Sequence, residues 1–192
     1  MNKQELRQQF LLRRLSLSRS DYWKLTSSLL RELEKIDWSR HTFVHIILPI
    51  SRNNEVDTFS VIDFFRQHYP SIQILIPRTN FETFEMENIL FDPEYTVLAR
   101  NKFGIPEPIY GQRVDAARID VVFVPLLAFD YFGHRVGYGK GFYDRFFQNC
   151  REDVLKVGLS YFDAVEEIAD RNPYDVRMDL CIVPGKVWDF RG

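Results

Sequence analysis

Cysteine is scarce in this chain of 192 residues: there are two, Cys150 and Cys181. No CxxC pair or Cys/His spacing for zinc is present, and two distant thiols make no disulfide framework. That favours the cytoplasm as the compartment. No apolar run approaches the ~20 residues a membrane-spanning helix needs. The stretch "MNKQELRQQFLLRRLSLSRS" has no uninterrupted apolar core and no small-residue cleavage site, so no signal peptide is expected. Net charge is nearly absent, at −2. No global field therefore favours nucleic acid or an anionic membrane, and any anion must be held by a local cluster. Repeats, low-complexity runs and linkers are missing as well. Residues 1–192 read as a single domain long enough to bury a substantial core.

Aromatic residues, by contrast, are plentiful: 15% of the chain, with 17 Phe and 9 Tyr. Most belong in a core, and some could stack on a flat ligand. Along the chain, apolar periodicity predicts a short amphipathic helix over 3–14. A second helix, capped by Ser18 or Ser20, should run to about Asp37. "TFVHIILPI" (42–50) reads as a buried strand, "SRNNE" as a loop, 57–68 as a helix and "SIQILIP" as the next strand. A strand–loop–helix–strand unit implies a parallel sheet. Residues 81–91 alternate as an antiparallel excursion, and the Gly- and Pro-rich 101–111 as an ordered loop. "IDVVFVP" (119–125) is the clearest central strand; "VLKVGLSY" and "DLCIVP" follow as later ones. The expected fold is α/β: a single three-layer domain, a mostly parallel sheet with helices on both faces. Ligands in such sheets sit beyond the carboxyl ends of strands, where loops 51–55 and 126–141 both fall.

The second of those loops falls in the stretch "LLAFDYFGHRVGYGKGFYDRFF" (126–147), which sets Gly133, Gly137, Gly139 and Gly141 among cations and aromatics. It is not a Walker A loop, because Gly141 follows Lys140 where a hydroxyl is needed for magnesium. It is not a dinucleotide fingerprint, because G-x-G-x-G stands in place of G-x-G-x-x-G, about a dozen residues after its strand. An acetyltransferase-type pyrophosphate loop fails on spacing too. The chemistry still suits an anion. Glycines let backbone N–H groups converge on phosphate oxygens, Arg135 and Lys140 supply charge, and Asp144 could hold the magnesium that accompanies ATP. The competing reading is a surface turn with solvated cations.

"VPLLAFDYFGHRVGYGKGFYD" resembles the signature of the 5-formyltetrahydrofolate cyclo-ligases, also called methenyltetrahydrofolate synthetases. "KQELR", "NNEVDT" and "FGIPEP" match further family segments in the right order, so the likeness runs from Lys3 to about Pro184. The resemblance implies that Lys3 and Arg7, four apart on one helix face, bind ATP phosphates; spacing alone would leave them a solvated basic face. It implies an ATP loop of Arg135, Val136, Gly137, Tyr138, Gly139, Lys140, Gly141, Phe142 and Tyr143, with Arg135 and Lys140 in the catalytic role. It places folate against Ile50, Glu55, Tyr138, Gly139, Lys140, Gly141 and Phe142. It assigns Mg²⁺ to Asp144 and Asp175, with Asp179 as the alternative to Asp175. Leu126 and Phe142 depart from the pattern, which more often has Gly and Tyr there. Arg13 and Arg14 gain no such support and read as solvated. Arg145 reads as a helix-surface cation and His134 as solvent-exposed.

The activity so implied is the ATP- and Mg²⁺-dependent closure of 5-formyltetrahydrofolate to 5,10-methenyltetrahydrofolate, with ATP and folate as the only partners. Monomer is the simplest expectation. Two other readings share the same loop: a non-catalytic nucleotide-binding module and a kinase-like phosphoryl transferase. The pair Glu55 and Asp144 argues against the first, and the lack of an obvious base near the loop against the second.

Overall fold

The computed structural model describes residues 1–191. Helix α1 (Lys3–Leu15) begins with a reciprocal cap. Asn2 accepts from the Glu5 amide, and the Glu5 carboxylate accepts from the Asn2 amide, so two otherwise orphaned N–H groups are satisfied. Ser18 caps α2 (Arg19–Leu33), which ends before the expected Asp37. Strand β1 is Phe43–Ile46, four residues instead of nine. The chain leaves the sheet there and passes through Pro49, which has no N–H to offer a ladder, into a 3-10 turn at Ser51–Asn53. Then come α3 (Thr58–His68), β2 (Gln73–Asn80) and β3 (Glu85–Leu90). The segment expected as a loop contains part of a two-stranded ribbon, β4 (Leu98–Arg100) with β5 (Pro106–Pro108). Strands β6 (Arg113–Val114), β7 (Val121–Pro125), β8 (Ala128–Phe129) and β9 (Arg135–Val136) precede α4 (Phe142–Phe146). The chain closes with β10 (Leu155–Leu159), β11 (Leu180–Val183) and β12 (Lys186–Asp189).

Eight strands form one sheet in the order β12-β11-β10-β7-β1-β2-β3-β6. The five central strands, β11 to β2, are parallel; β12, β3 and β6 add antiparallel edges. The α/β expectation holds, with layers of unequal depth. One face carries Val44, Ile46, Ile74, Ile76, Val121 and Phe123 against α2, α3 and Trp38. The other carries Leu75, Val122, Val124 and Cys181 beneath Phe129, Tyr143 and Phe146. There the helix is only the five residues of α4, and irregular chain does much of the covering. Side chains alternate between faces along β1, so His45 falls on this second face beside Leu75 and Val122.

The departure at Leu126 has a packing reason. Its side chain is buried, and its Cδ2 occupies space that a Cβ on Gly158 would enter, at 2.6 Å. A glycine in the neighbouring strand accommodates the larger residue.

Candidate functional site

A cavity of about 830 Å³ opens along the carboxyl edge of the parallel strands. Ile47 and Ile50 after β1 and Pro125 at the end of β7 form its floor, where open α/β sheets bind ligands. On the β2–β3 side its wall is apolar: Phe81, Met86, Phe103, Ile105 and Phe142. The Phe142 ring lies 5.5 Å from both Phe81 and Phe84, and Phe81 lies 4.6 Å from Phe103. Toward the β10–β11 connection the wall is charged, with Lys3, Arg7, Arg135, Asp144, Asp170 and Asp175.

The glycine loop crosses between these walls. Gly139 has φ +86°, and a Cβ there would also meet the Arg7 guanidinium at 3.2 Å, so conformation and space both exclude a side chain. Gly141, at φ +66°, starts α4. Arg7 Nε donates to the Gly137 carbonyl at 2.9 Å and ties α1 to the loop. Arg135 donates to the Val176 carbonyl and, at 2.7 Å, to Asp144 Oδ1, which also accepts from the Val176 amide. Lys3 pairs with Asp175 Oδ2 at 2.5 Å. Burial pushes the Asp175 pKa up, but Lys3 and the Asn172 amide more than offset it, so the group lies below the usual carboxylate value. Lys140 is exposed at the rim and carries no ion pair among the described residues.

Asp144 and Asp175 each offer a hard carboxylate oxygen beyond the one occupied by their partners. That donor set fits Mg²⁺, which takes one or two carboxylates and fills its remaining positions with phosphate and water. Asp179 does not line the cavity. It pairs with Lys156 at 2.9 Å and accepts the Lys156 amide, which gives it a structural task at the far end of β10.

Glu55 differs from its expected setting. It is 8% exposed and lies behind the cavity wall, where its carboxylate accepts from the Ile50 amide at 2.7 Å and from the Tyr138 hydroxyl. The Tyr138 pKa is pushed up to about 12 by burial and by Glu55. The third member of the cluster was not anticipated. Arg14, read as solvated, is 6% exposed; it donates to Tyr138 Oη at 2.5 Å and to the Asn53 carbonyl at 2.8 Å, and lies 3.7 Å from Glu55. It joins α1, the 51–55 loop and the glycine loop. Its position could have flagged it: residues 3, 7 and 14 lie within about 40° of one helix face at 100° per residue.

Tyr143, on the same loop, is 8% exposed and touches a second buried cluster. Its hydroxyl lies 3.2 Å from His45 Nε2, and His45 Nδ1 lies 2.8 Å from Asn88 Oδ1. Burial drives the Tyr143 pKa upward and pushes the His45 pKa down to about 4. Nothing local in "FVHI" marked this histidine.

Of the other expected site residues, Ile50, Gly137, Tyr138, Gly139, Lys140, Gly141 and Phe142 line the cavity. Val136 is buried against Leu6 and Phe10 of α1 and acts as the loop's anchor to the core. His134, expected in solvent, is largely covered: its side chain is 19% exposed, with Nδ1 enclosed 3.4 Å from the buried Asp130. Arg145 is exposed as expected and braces the loop by donating to the Lys140 carbonyl at 2.6 Å.

The family model for the 5-formyltetrahydrofolate cyclo-ligase family matches residues 1–184. The 5-formyltetrahydrofolate cyclo-ligase of Mycoplasma pneumoniae is 30% identical over 185 residues, covering 95% of this chain and 98% of that one. The Mycoplasma genitalium enzyme is 28% identical over 193 residues, covering 96% and 99%. Among solved structures, the 5,10-methenyltetrahydrofolate synthetase of Aquifex aeolicus superposes with a TM-score of 0.82 at 29% identity, over 100% of this chain and 94% of that one. The match covers cavity, glycine loop and sheet together, and the chain belongs to the 5-formyltetrahydrofolate cyclo-ligase family.

Proposed function

We propose that this cyclo-ligase, which converts 5-formyltetrahydrofolate to 5,10-methenyltetrahydrofolate using ATP, holds both substrates in the large cavity, ATP on its charged wall and folate on its aromatic wall. The observation that carries this reading is the polarity of the cavity. Three cations and three carboxylates gather on one side and three phenylalanines on the other, with the positive-φ glycine loop between them.

Lys3, Arg7, Arg135 and Lys140 neutralise phosphate charge, and Asp144 with Asp175 holds Mg²⁺, which supplies further charge neutralisation when bound. Ile50, Phe142 and the Phe81–Phe103 pair sandwich the flat rings of folate. Tyr138 presents a polar edge there, with Glu55 and Arg14 fixing it from behind. The formyl amide of the substrate is a poor electrophile. Its oxygen takes the terminal phosphoryl group of ATP and releases ADP. N10 of the same molecule then attacks the activated carbon, the C–O bond breaks, and phosphate leaves with the proton that N10 gives up. The protein positions the groups and stabilises charge; no protein nucleophile is required. The two unpaired thiols fit a cytoplasmic enzyme.

Turnover is followed by the ultraviolet absorbance of the methenyl product. Lys140→Ala and Asp144→Ala should each lower kcat/KM by about 100-fold or more, the scale of losing one charge-stabilising group, with circular dichroism unchanged. Full activity in either variant would refute these roles.

A further inference from the structure

The direction of the hydrogen bonds beneath Tyr143 can be worked out from the buried end of the chain. The Val114 carbonyl only accepts, so the Asn88 atom 3.4 Å from it is the amide nitrogen. Asn88 Oδ1 therefore faces His45 Nδ1, at 2.8 Å. A carbonyl oxygen also only accepts, so Nδ1 carries the proton. In a neutral imidazole the other nitrogen is then a bare acceptor. His45 has no exposed surface, and burial keeps it neutral. Its Nε2 lies 3.2 Å from Tyr143 Oη, so the phenol proton is donated to this buried nitrogen, while Tyr143 itself lines the cavity.

We infer that Tyr143 turns only an oxygen lone pair toward the cavity and takes an N–H donor of a ligand there, with His45 as the positioning residue that fixes this polarity. A tyrosine hydroxyl free to rotate would donate to a phosphate oxygen as readily as accept from an amine. Here rotation toward a phosphate would strip His45 Nε2 of its partner in a fully buried site, at the cost of an unsatisfied polar group. The loop therefore carries two chemistries. Backbone N–H groups and cations face the phosphates, and the Tyr143 oxygen selects a nitrogen-rich ring edge. Both substrates own such an edge, the reduced pterin and the adenine amine. This inference rests on the placement of ATP and folate proposed above.

Tyr143→Phe deletes the acceptor and keeps the ring. Binding of 5-formyltetrahydrofolate and of ATP, and inhibition by tripolyphosphate, are measured for it and for the unmodified enzyme. We expect about tenfold weaker binding of the ligand whose N–H is taken, the worth of one hydrogen bond, and unchanged inhibition by tripolyphosphate. Loss confined to folate identifies the pterin; loss confined to ATP identifies adenine. Weaker tripolyphosphate inhibition, or no change with any ligand, overturns the inference. His45→Gln combined with Tyr143→Phe should bind no more weakly than Tyr143→Phe alone, because His45 acts through that hydroxyl; additive losses overturn its role. A direct readout on the unmodified enzyme is nitrogen NMR of His45, expected to show Nδ1 protonated and Nε2 bare; the opposite tautomer overturns the assignment. Should the unmodified enzyme make no methenyl product, the placement of substrates fails while the tautomer result still stands.

Discussion

The two faces of the sheet solve different problems. Beneath α2 and α3 most packed side chains are apolar, built around Trp38, Phe65 and Phe123 with ring centroids 5.5–5.8 Å apart, and a buried Thr26–Tyr161 hydroxyl contact at 2.7 Å lies among them. Beneath the glycine loop the same strands bury His45 and Asn88, and the cover is one short helix plus irregular chain. The difference teaches where function is stored. The first face supplies burial free energy, roughly 25 cal/mol per Å² of apolar area. The second gives up some of that gain to hold polar groups in fixed directions beneath the glycine loop.

The sharpest way to break this comparison is to damage the apolar face. Phe65 is fully buried. Phe65→Ala should cost about 3–5 kcal/mol, the usual range for losing a core aromatic and leaving a cavity, while kcat per folded molecule stays the same. Urea unfolding with activity normalised to the folded fraction checks both halves. A fall in normalised kcat would mean that the faces are not separable.

The polar face should announce itself in the pH dependence of stability. Burial lowers the pKa of His45 from 6.5 to about 4. Between those values the unfolded chain binds a proton that the folded chain does not. Stability therefore falls as pH drops from 6.5 toward 4 and levels off below that, by up to about 3 kcal/mol. His41 is also lowered by burial and acts in the same direction. Unfolding measured at pH 7 and pH 5 should show a shallower loss in His45→Gln than in the unmodified protein. Equal slopes would remove His45 as the source.

These two faces were unequally legible in the sequence. The apolar side writes itself as periodicity: 57–68 and 119–125 emerged as α3 and β7 with small changes at their ends. The glycine loop was legible because Gly139 and Gly141 need positive φ and an open approach, and so punctuate the chain. The β8–β9 hairpin was not, because two-residue strands leave no alternation to detect. Arg14 was misread although its helix face was computable, because a basic residue in a basic helix usually is solvated. His45 gave no signal at all. Its partners Asn88 and Tyr143 lie 43 and 98 residues away, and only the β1–β2–β3 neighbourhood and the placement of α4 bring them together.

The smallest effect is expected at Phe142, where the loop departs from the commoner tyrosine. Three contacts define its setting. The ring meets Phe81 edge-on at 5.5 Å, with an interplanar angle of 84°, Phe84 lies tilted at 5.5 Å, and the Arg145 guanidinium sits 5.7 Å from its centroid. All use the ring and none needs a hydroxyl. If the aromatic wall works by stacking, Phe142→Tyr should change kcat/KM for 5-formyltetrahydrofolate by less than about twofold, within the half kcal/mol typical of a partly exposed substitution that disrupts no buried feature. A gain of tenfold or more would mean that a ligand polar group waits beside this ring. The aromatic wall would then resemble the His45–Tyr143 side of the molecule more than the apolar face, and the division between a stacking surface and a hydrogen-bonding one would have to be redrawn through the glycine loop itself.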